Sequence, residues 1–398
     1  MVHESAKQRV LYFCSRLPSN IQGGLDLRVQ SQISALLGFA EVYVFGLNGK
    51  GAPFHPQISS WRASKNEGVS RQLDALQGMS ALLSGRSPFE SRFSEETADE
   101  LRSEIRLHEP DVIVISRIDL TVYLEVVQEE FSGKLILDLD ETVGSTGPSI
   151  LKIMQHPGQA LVFKTFNERV SRLEQNVLGV VDQIWVCSAV ERKRLLDSDF
   201  RDIDPTSKIV VVPNSVSVGD YTTMQKGERL ENTLIYPASF AYEPSLDAAK
   251  FLIYELMPLL PNFRLRFVGS HIPSWMRNLQ LDNVTSEGPV PSIIPYLKSS
   301  TALVVPLRAG GGTRLKVIEA LAAGLPVVST EFGVEGLNLE AGLDYLRAES
   351  AEDFAEQCRK LLRNQDMRNA LASKGIKTAT RSFSTISLKE LLMKTLSG

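Results

Sequence analysis

The chain has 398 residues, of which 43% are hydrophobic and 23% charged. That balance is typical of a soluble globular protein, excludes collagen-like, disordered and disulfide-scaffold proteins, and at about 150 residues per domain leaves room for two domains. Lysine and arginine number 43 and aspartate and glutamate 47, a formal net charge of −4, which argues against a protein whose main partner is nucleic acid.

Cysteine usage and the lack of long apolar segments bear on location. The 3 cysteines, Cys14, Cys187 and Cys358, lie far apart, which suits a reducing compartment and predicts no thiolate metal cluster. The start of the sequence lacks the pattern of a secretory signal, and no segment approaches the ~18 uninterrupted apolar residues that span a bilayer. We therefore expect a cytoplasmic protein.

In the first half of the chain, short runs rich in β-branched residues alternate with stretches of helical spacing. Val29, Ile33, Leu36 and Leu37 have the i, i+4, i+7, i+8 spacing of a helix. Because the strands lack polar alternation, we expect them to be buried on both faces of a parallel sheet covered by helices. The predicted strands are 10–13, 42–45, 112–115, 135–137, 184–186 and 209–212.

The same alternation restarts at residue 234, after a stretch at 215–232 with the composition of a linker. Here the predicted strands are 234–236, 265–269, 302–305 and 326–329, with helices at 247–256 and 315–323, and a final amphipathic helix at 387–396. The sequence therefore predicts an α/β fold with two Rossmann-like domains, at 1–218 and 219–383.

The segment most informative about chemistry follows the predicted strand 302–305. Three consecutive glycines, Gly310, Gly311 and Gly312, precede Thr313, which we expect to cap a helix. Glycines let an anion approach the backbone, and the free amides and dipole of a helix start attract it. Arg314 and Lys316 add full positive charges at the same end, so the segment predicts a phosphate-binding site.

Glu319 lies about two turns beyond Thr313, roughly 9 Å at 1.5 Å rise per residue. A carboxylate there could accept both hydroxyls of a ribose whose diphosphate lies at the helix start. Two alternatives remain open: Lys316 and Glu319 form only an i, i+3 surface pair, and the glycines only turn the chain.

The run Glu319-Ala320, followed by Gly324-Leu325-Pro326-Val327-Val328, resembles the donor-site helix and strand of the nucleotide-sugar glycosyltransferases of the GT-B fold, retaining family four. In that family a first Glu, eight residues before the second, usually contacts the transferred sugar. Gly311 stands at that position, so this role cannot be carried over. The motif G-G-G-T-R-L-K resembles that of a subgroup of the family, in which it replaces the half of the pattern that contains the first Glu.

Other segments extend the resemblance over most of the chain. Gly23 and Gly24 are similar to the glycine loop after the first strand, and Asp140, in the string DLDE, takes the place of a His often assigned to the active site. Asn214 matches a P-N-G-V-D signature, although Ser215 replaces its Gly. Gly288 and Val290 resemble the loop whose backbone reads the nucleotide base.

The resemblance implies a GT-B glycosyltransferase with an interdomain cleft and a C-terminal crossover helix, residues 384–398, which packs back on the first domain. It implies transfer from a nucleoside diphosphate sugar to a glycan, lipid-linked or small-molecule acceptor, with retention and without a metal or cofactor. Asp140, Arg314 and Lys316 would be catalytic. The other named residues would bind substrate: Gly23, Gly24, Gly288, Val290, Gly310, Gly311, Gly312, Thr313 and Glu319.

Several alternatives stay open. Asp138 and Asp140 also form a D-x-D pair that could share a divalent ion, and Asp140 could instead cap the loop before Gly144. The segment Glu191-Arg192-Lys193-Arg194 and the residues Lys164, Arg169 and Arg172 leave peripheral contact with an anionic membrane open, although charged surface helices are common. An epimerase on the same fold and a catalytically idle sugar-nucleotide binding protein are the other candidate functions.

Overall fold

The computed structural model of the protein describes residues 7–19, 23–65, 87–197, 206–223, 230 and 232–397. Its first sheet has the strand order β3-β2-β1-β4-β5-β6-β7, with every neighbouring pair parallel. The strands are β1 Gln8–Cys14, β2 Ala40–Gly46, β3 Ser60–Ala63, β4 Val112–Ser116, β5 Lys134–Asp140, β6 Gln183–Val186 and β7 Ile209–Val211.

The second sheet has the order β10-β9-β8-β11-β12-β13 and is also parallel throughout. Its strands are β8 Thr233–Ser239, β9 Arg264–Ser270, β10 Val284–Glu287, β11 Ala302–Val305, β12 Val327–Ser329 and β13 Leu346–Arg347. The predicted fold of two Rossmann-like α/β domains is confirmed. Sequence analysis missed β3, β10 and β13, which are short strands at or near sheet edges and lack a fully buried apolar run.

Helices cover both sheets. The α-helices of the described residues are α1 Gly24–Leu37, α2 Glu95–His108, α3 Leu124–Glu130, α4 Val143–Leu151, α5 Pro157–Val177, α6 Ala189–Leu196, α7 Val218–Thr223, α8 Glu243–Phe251, α9 Ser274–Arg277, α10 Ile294–Ser299, α11 Leu315–Ala322, α12 Ala351–Arg363, α13 Gln365–Ser382 and α14 Thr385–Ser397. A π-helical turn, Leu252–Leu256, continues α8. Within the described part of the chain, no helix has the length and apolar character needed to cross a membrane.

The strand β1 shows why these sequences form a buried parallel sheet. Leu11 and Phe13 pack into the apolar layer on one face, and Val10 and Tyr12 into the layer that contains α1 on the other. Every one of these side chains is 0% exposed, so the strand has no polar face.

Each sheet reverses its strand order beside its first strand, between β1 and β4 and between β8 and β11. At such a switch point the loops diverge and leave a crevice at the carboxyl ends of the strands, where α/β proteins bind ligands. The glycine loop at 310–312 follows β11, and Gly23 lies between β1 and α1. The fold therefore places both predicted glycine segments at switch points.

The chain connects the two sheets near residue 216 and returns near residue 384. Val216 and Ser384 form an isolated parallel bridge, in which the Val216 amide donates to Phe383 O at 2.8 Å. Beyond it, Leu388, Leu392 and Leu396 of α14 pack in the same apolar cluster as Val29 and other residues of α1. The exact domain boundary at 218/219 stays a prediction.

The predicted linker at 215–232 includes the short helix α7, whose Tyr221 is only 6% exposed. Residues 224–229 and 231 of this stretch lie outside the described part of the chain.

Candidate functional site

The two glycine segments meet where the domains face each other. Gly23 is the residue before α1, and a Cβ placed on Gly24 would lie 3.0 Å from Cδ1 of Leu315, the first residue of α11. The start of α1 therefore contacts the helix that follows the glycine loop. This close approach leaves little room for any side chain larger than hydrogen at position 24.

The backbone amides of the glycine loop point at oxygen atoms. The Gly310 amide donates to Ser149 Oγ at 3.1 Å, Gly311 to the Tyr242 hydroxyl at 3.3 Å and Gly312 to Glu191 Oε1 at 3.3 Å. Ser149 and Glu191 belong to the first domain, on α4 and α6. Since phosphate oxygens are acceptors of the same kind, these amides are suited to an anion that replaces the protein oxygens.

Glycine is required here for two reasons. Gly310 and Gly312 have φ of 110° and 68°, in the region that side chains disfavour. A Cβ on Gly311 would overlap Cγ2 of Thr146 on α4. The loop therefore does more than turn the chain, because its middle residue packs against the opposite domain.

The prediction that Thr313 caps the helix is wrong. The helix α11 begins at Leu315, and its cap residue is Arg314, whose φ of −80° and ψ of 87° delay the first turn by one residue. The hydroxyl of Thr313 instead accepts a hydrogen bond from Asn214 Nδ2 at 2.8 Å. Thr313 thus links the loop to the first domain.

Arg314 is the cation nearest to the glycines and is 7% exposed. Its Nη1 donates to the carbonyl oxygens of Gly311 and Gly312, and its guanidinium lies 5.1 Å from the centre of the Phe332 ring. Its Nε and Nη2 are buried and have no hydrogen-bond partner among the described residues. A buried donor without a partner is costly, so this guanidinium is arranged for an anion that the protein does not itself provide.

Lys316 lies beside Arg314 on α11, with Nζ 3.9 Å from the centre of the Tyr236 ring. Burial, together with the positive charge of Arg314, lowers the pKa of Lys316 to about 7. An anion bound at Arg314 would offset both effects, since it would favour the charged ammonium.

Glu319, one turn further along α11, accepts a hydrogen bond from the Tyr221 hydroxyl at 2.9 Å. Burial raises the pKa of Glu319 to about 7. Lys316 and Glu319 therefore use different partners, an aromatic ring and a phenol, instead of forming the surface ion pair that sequence analysis left open. Tyr221 comes from α7, within the predicted linker, and was missed because its contact with α11 is a tertiary one.

Asp140 ends β5 with φ of 62°, at the point where the pairing with β6 shifts register. Asn214 Nδ2 donates to its Oδ1 at 3.3 Å, and Arg28 Nε lies 3.6 Å from the same oxygen. Its side chain is 23% exposed. Burial, with the charge of Asp138, raises the pKa of Asp140 against the opposing effects of Arg28 and Arg117.

The loop amides that Asp140 was considered to cap have other acceptors. The Val143 and Gly144 amides donate to the Glu174 carboxylate at 2.7 and 3.1 Å. The Thr142 amide donates to Glu191 Oε2 at 2.9 Å. These three amides therefore do not bond to the Asp140 side chain, and the functional role of Asp140 stays a prediction.

Asp138, the other carboxylate of the D-x-D pair, is fully buried. Both of its oxygens accept from Arg28, at 2.9 Å from Nε and 2.5 Å from Nη2, and Gln32 adds a bond at 3.2 Å. These bonds occupy the carboxylate that a shared cation would need.

Sequence analysis missed two acidic residues that lie beside the glycine loop. Glu191 appeared to belong to a basic surface cluster, yet it is 1% exposed and bonds the loop amide of Gly312. Glu141, next to Asp140 in the sequence, has Oε2 2.9 Å from the Cβ position of Gly311, and burial raises its pKa to about 7. The string DLDE was the only available signal for Glu141.

Two residues of the basic clusters form ion pairs within the protein. Arg194 pairs with Glu191 and Glu335 at 2.7 and 2.8 Å, and Lys164 with Glu168 at 4.0 Å. Peripheral membrane contact and cytoplasmic location stay predictions.

Gly288 and Val290 follow β10 at the carboxyl end of the second sheet. A Cβ on Gly288 would have no atom within 4 Å, and Val290 packs partly against the apolar core of the second domain. Gly288 is therefore open to a ligand, and the contact of these residues with a base stays a prediction.

Comparison with known proteins matches part of the chain, the region of the second sheet, to a family. Residues 231–364 match the family described as Glycosyl transferases group 1. No curated protein matches the chain.

Solved structures share the fold across nearly the whole chain. Sucrose-phosphate synthase from Thermosynechococcus elongatus has a TM-score of 0.73 at 15% identity, with 98% of each chain covered. Anabaena HepE in complex with UDP-glucose has a TM-score of 0.66 at 13% identity, covering 98% of this chain and 99% of its own. A mutant of S. aureus TarM, in complex with fondaparinux, α-GlcNAc-glycerol and UDP, has a TM-score of 0.68 at 11% identity, covering 97% and 99%. The GT-B fold expected from the sequence is confirmed, and the family match covers residues 231–364.

Proposed function

We propose that this protein is a glycosyltransferase that moves a sugar from a nucleoside diphosphate sugar to a glycan, lipid-linked or small-molecule acceptor, in keeping with the family match of residues 231–364. The observation that supports this proposal most is the buried guanidinium of Arg314 beside three glycines, whose Nε and Nη2 have no hydrogen-bond partner among the described residues. Such a group at a switch point is suited to a diphosphate.

In this proposal the donor lies along α11. The diphosphate contacts the amides of Gly310, Gly311 and Gly312 together with Arg314 and Lys316, and the ribose hydroxyls bond to Glu319. The base lies toward Gly288 and Val290. HepE and TarM are solved with UDP, so uridine nucleotides are the first donors to test.

Transfer would take place on the side of the crevice that carries Asp140, whose partly exposed carboxylate can accept a hydrogen bond from a reacting hydroxyl. Charge that develops on the departing diphosphate would be met by Arg314, Lys316 and the loop amides. Fixed charges and dipoles of this kind contribute several kcal/mol to lowering a barrier. Since these cations can carry the phosphate charge, we include independence from metal in the proposal, together with retention of anomeric configuration.

A thermal-shift screen of nucleoside diphosphates and their sugars would identify the donor, since a ligand at 100 times its Kd stabilises the fold by about 2.7 kcal/mol. The matching sugar nucleotide would then be followed by proton NMR with and without candidate acceptors. We expect release of free nucleotide and a product with the donor's anomeric configuration. Binding without turnover would support an idle binding protein, and loss of sugar stereochemistry without transfer would support an epimerase.

A further inference from the structure

Asn214 occupies the junction between the two halves of the proposed site. It lies just after β7, is 2% exposed, and precedes the connection between the domains. Its side chain makes three hydrogen bonds, to Arg28, Asp140 and Thr313. Arg28 and Asp140 belong to the first domain, whereas Thr313 belongs to the glycine loop of the second.

The chemistry of these partners fixes the orientation of the amide. Arg28 can only donate, so the atom that it contacts at 2.7 Å through Nη1 must be the carbonyl oxygen of Asn214. The amide nitrogen then faces the other two partners, Thr313 Oγ1 at 2.8 Å and Asp140 Oδ1 at 3.3 Å. Two N–H hydrogens thus serve two acceptors, and a flipped amide would oppose an oxygen to the Asp140 carboxylate.

All three nitrogens of the Arg28 guanidinium have hydrogen-bond partners. It is fully buried, forms two bonds to Asp138 through Nη2 and Nε, and donates through Nη1 to Val212 O at 3.0 Å. The oxygen of Asn214 is therefore held by a rigid cation, and this leaves its nitrogen in a defined place.

We propose that Asn214 is a positioning residue that joins the carboxylate of Asp140 and the hydroxyl of Thr313 in one hydrogen-bonded unit across the two domains. This inference rests on the proposed function, in which Asp140 accepts a hydrogen bond from the acceptor. Its consequence is that loss of Asn214 affects both the Asp140 carboxylate and the docking of the glycine loop, whereas loss of the Thr313 hydroxyl affects the loop alone.

The sign of the effect on Asp140 follows from the bond. A hydrogen bond donated to a carboxylate favours the ionised form, so its loss raises the pKa of Asp140. The other titratable or charged groups that face this carboxylate are Arg28, Arg117, Asp138, Glu141 and Cys187. They are the same in Asn214→Ala and Thr313→Val, so a difference between these two variants reports the amide.

The test is the pH dependence of kcat, with the donor identified by the screen above, for the wild type, Asn214→Ala and Thr313→Val. In Asn214→Ala we expect the acidic limb to move to higher pH by about one unit, the scale of one hydrogen bond to a charged group. In Thr313→Val, which keeps the amide beside Asp140, we expect the limb to stay in place and KM for the donor to rise. If the Ala variant does not fold, Asn214→Asp retains an acceptor for Arg28, removes the donor and adds a like charge beside Asp140, so it should move the limb in the same direction and further than Asn214→Ala.

Asp140→Asn separates failure of this inference from failure of the proposed function. If the acidic limb persists in Asp140→Asn, then Asp140 is not the titrating group and its proposed role is wrong. If the limb disappears in Asp140→Asn but does not move in either Asn214 variant, the role of Asn214 alone is overturned.

Discussion

Replacement of Arg314 by Met should weaken binding of UDP by roughly 10²-fold while binding of uridine stays within a factor of about 2. The structure gives the magnitude, because Nε and Nη2 of this guanidinium are buried and have no partner within the described part of the chain, and each hydrogen bond to a charged group is worth about 1.5–3 kcal/mol. One strong or two weak bonds amount to about 3 kcal/mol, and every 1.4 kcal/mol is tenfold in Kd. Uridine has no phosphate, so its affinity should depend little on Arg314.

Isothermal titration calorimetry of both ligands against the wild type and Arg314→Met would measure the difference. Arg308→Met is the matched control, since Arg308 lies just before the glycine loop but pairs with Asp247 at 2.8 Å and is 52% exposed. Arg314→Lys keeps the charge and should recover part of the UDP affinity. Equal losses of UDP and uridine affinity would indicate general damage to the site, and unchanged UDP affinity would refute a phosphate contact by Arg314.

Four further predictions concern the same site. Lys316 has a pKa of about 7, and a bound diphosphate should raise it, so UDP binding at pH 8 should take up a proton. This uptake would be measured as a binding enthalpy that depends on the buffer, and Lys316→Met should abolish it. The affinity for UDP should also fall as the pH rises above 7. Glu319→Ala should weaken nucleotide binding by about 1.5–3 kcal/mol, and unchanged affinity in a folded variant would exclude a ribose contact. Transfer activity should survive EDTA, whereas its loss and rescue by Mg²⁺ or Mn²⁺ would assign Asp140 to a metal. Asp140→Asn should lower turnover by roughly 10²-fold with little change in melting temperature or nucleotide affinity; near-normal turnover would return Asp140 to a structural role.

Strands such as β1 and β11 could be predicted from the sequence because their side chains are buried on both faces, which requires an apolar run. The edge strand β3 escaped because exposed residues such as Arg62 interrupt the run. Local patterns thus predicted both domains and the glycine loop, because each depends on a few consecutive residues.

The surroundings of the loop depend instead on contacts between distant parts of the chain. Glu191 is 121 residues from Gly312, and Ser149 is 161 residues from Gly310, so no spacing rule connects them. The position of Thr313 was misjudged for a similar reason. A Thr before a helix is a good cap by itself, but here Asn214 binds its hydroxyl and the backbone at Arg314 is not helical.

The bridge between Val216 and Ser384 has a mechanical consequence. The chain crosses between the domains twice, and the two crossings are fastened side by side, with Val216 donating to Phe383 and accepting from the Thr385 amide at 3.2 Å. Connections that lie side by side let the two domains rotate about the line through them, provided that the other contacts between the domains, such as Asn214 with Thr313, separate. Entry and exit of a substrate would then be a swing about this axis, in which Ser149 and Gly310 separate while residues 216 and 384 keep their distance.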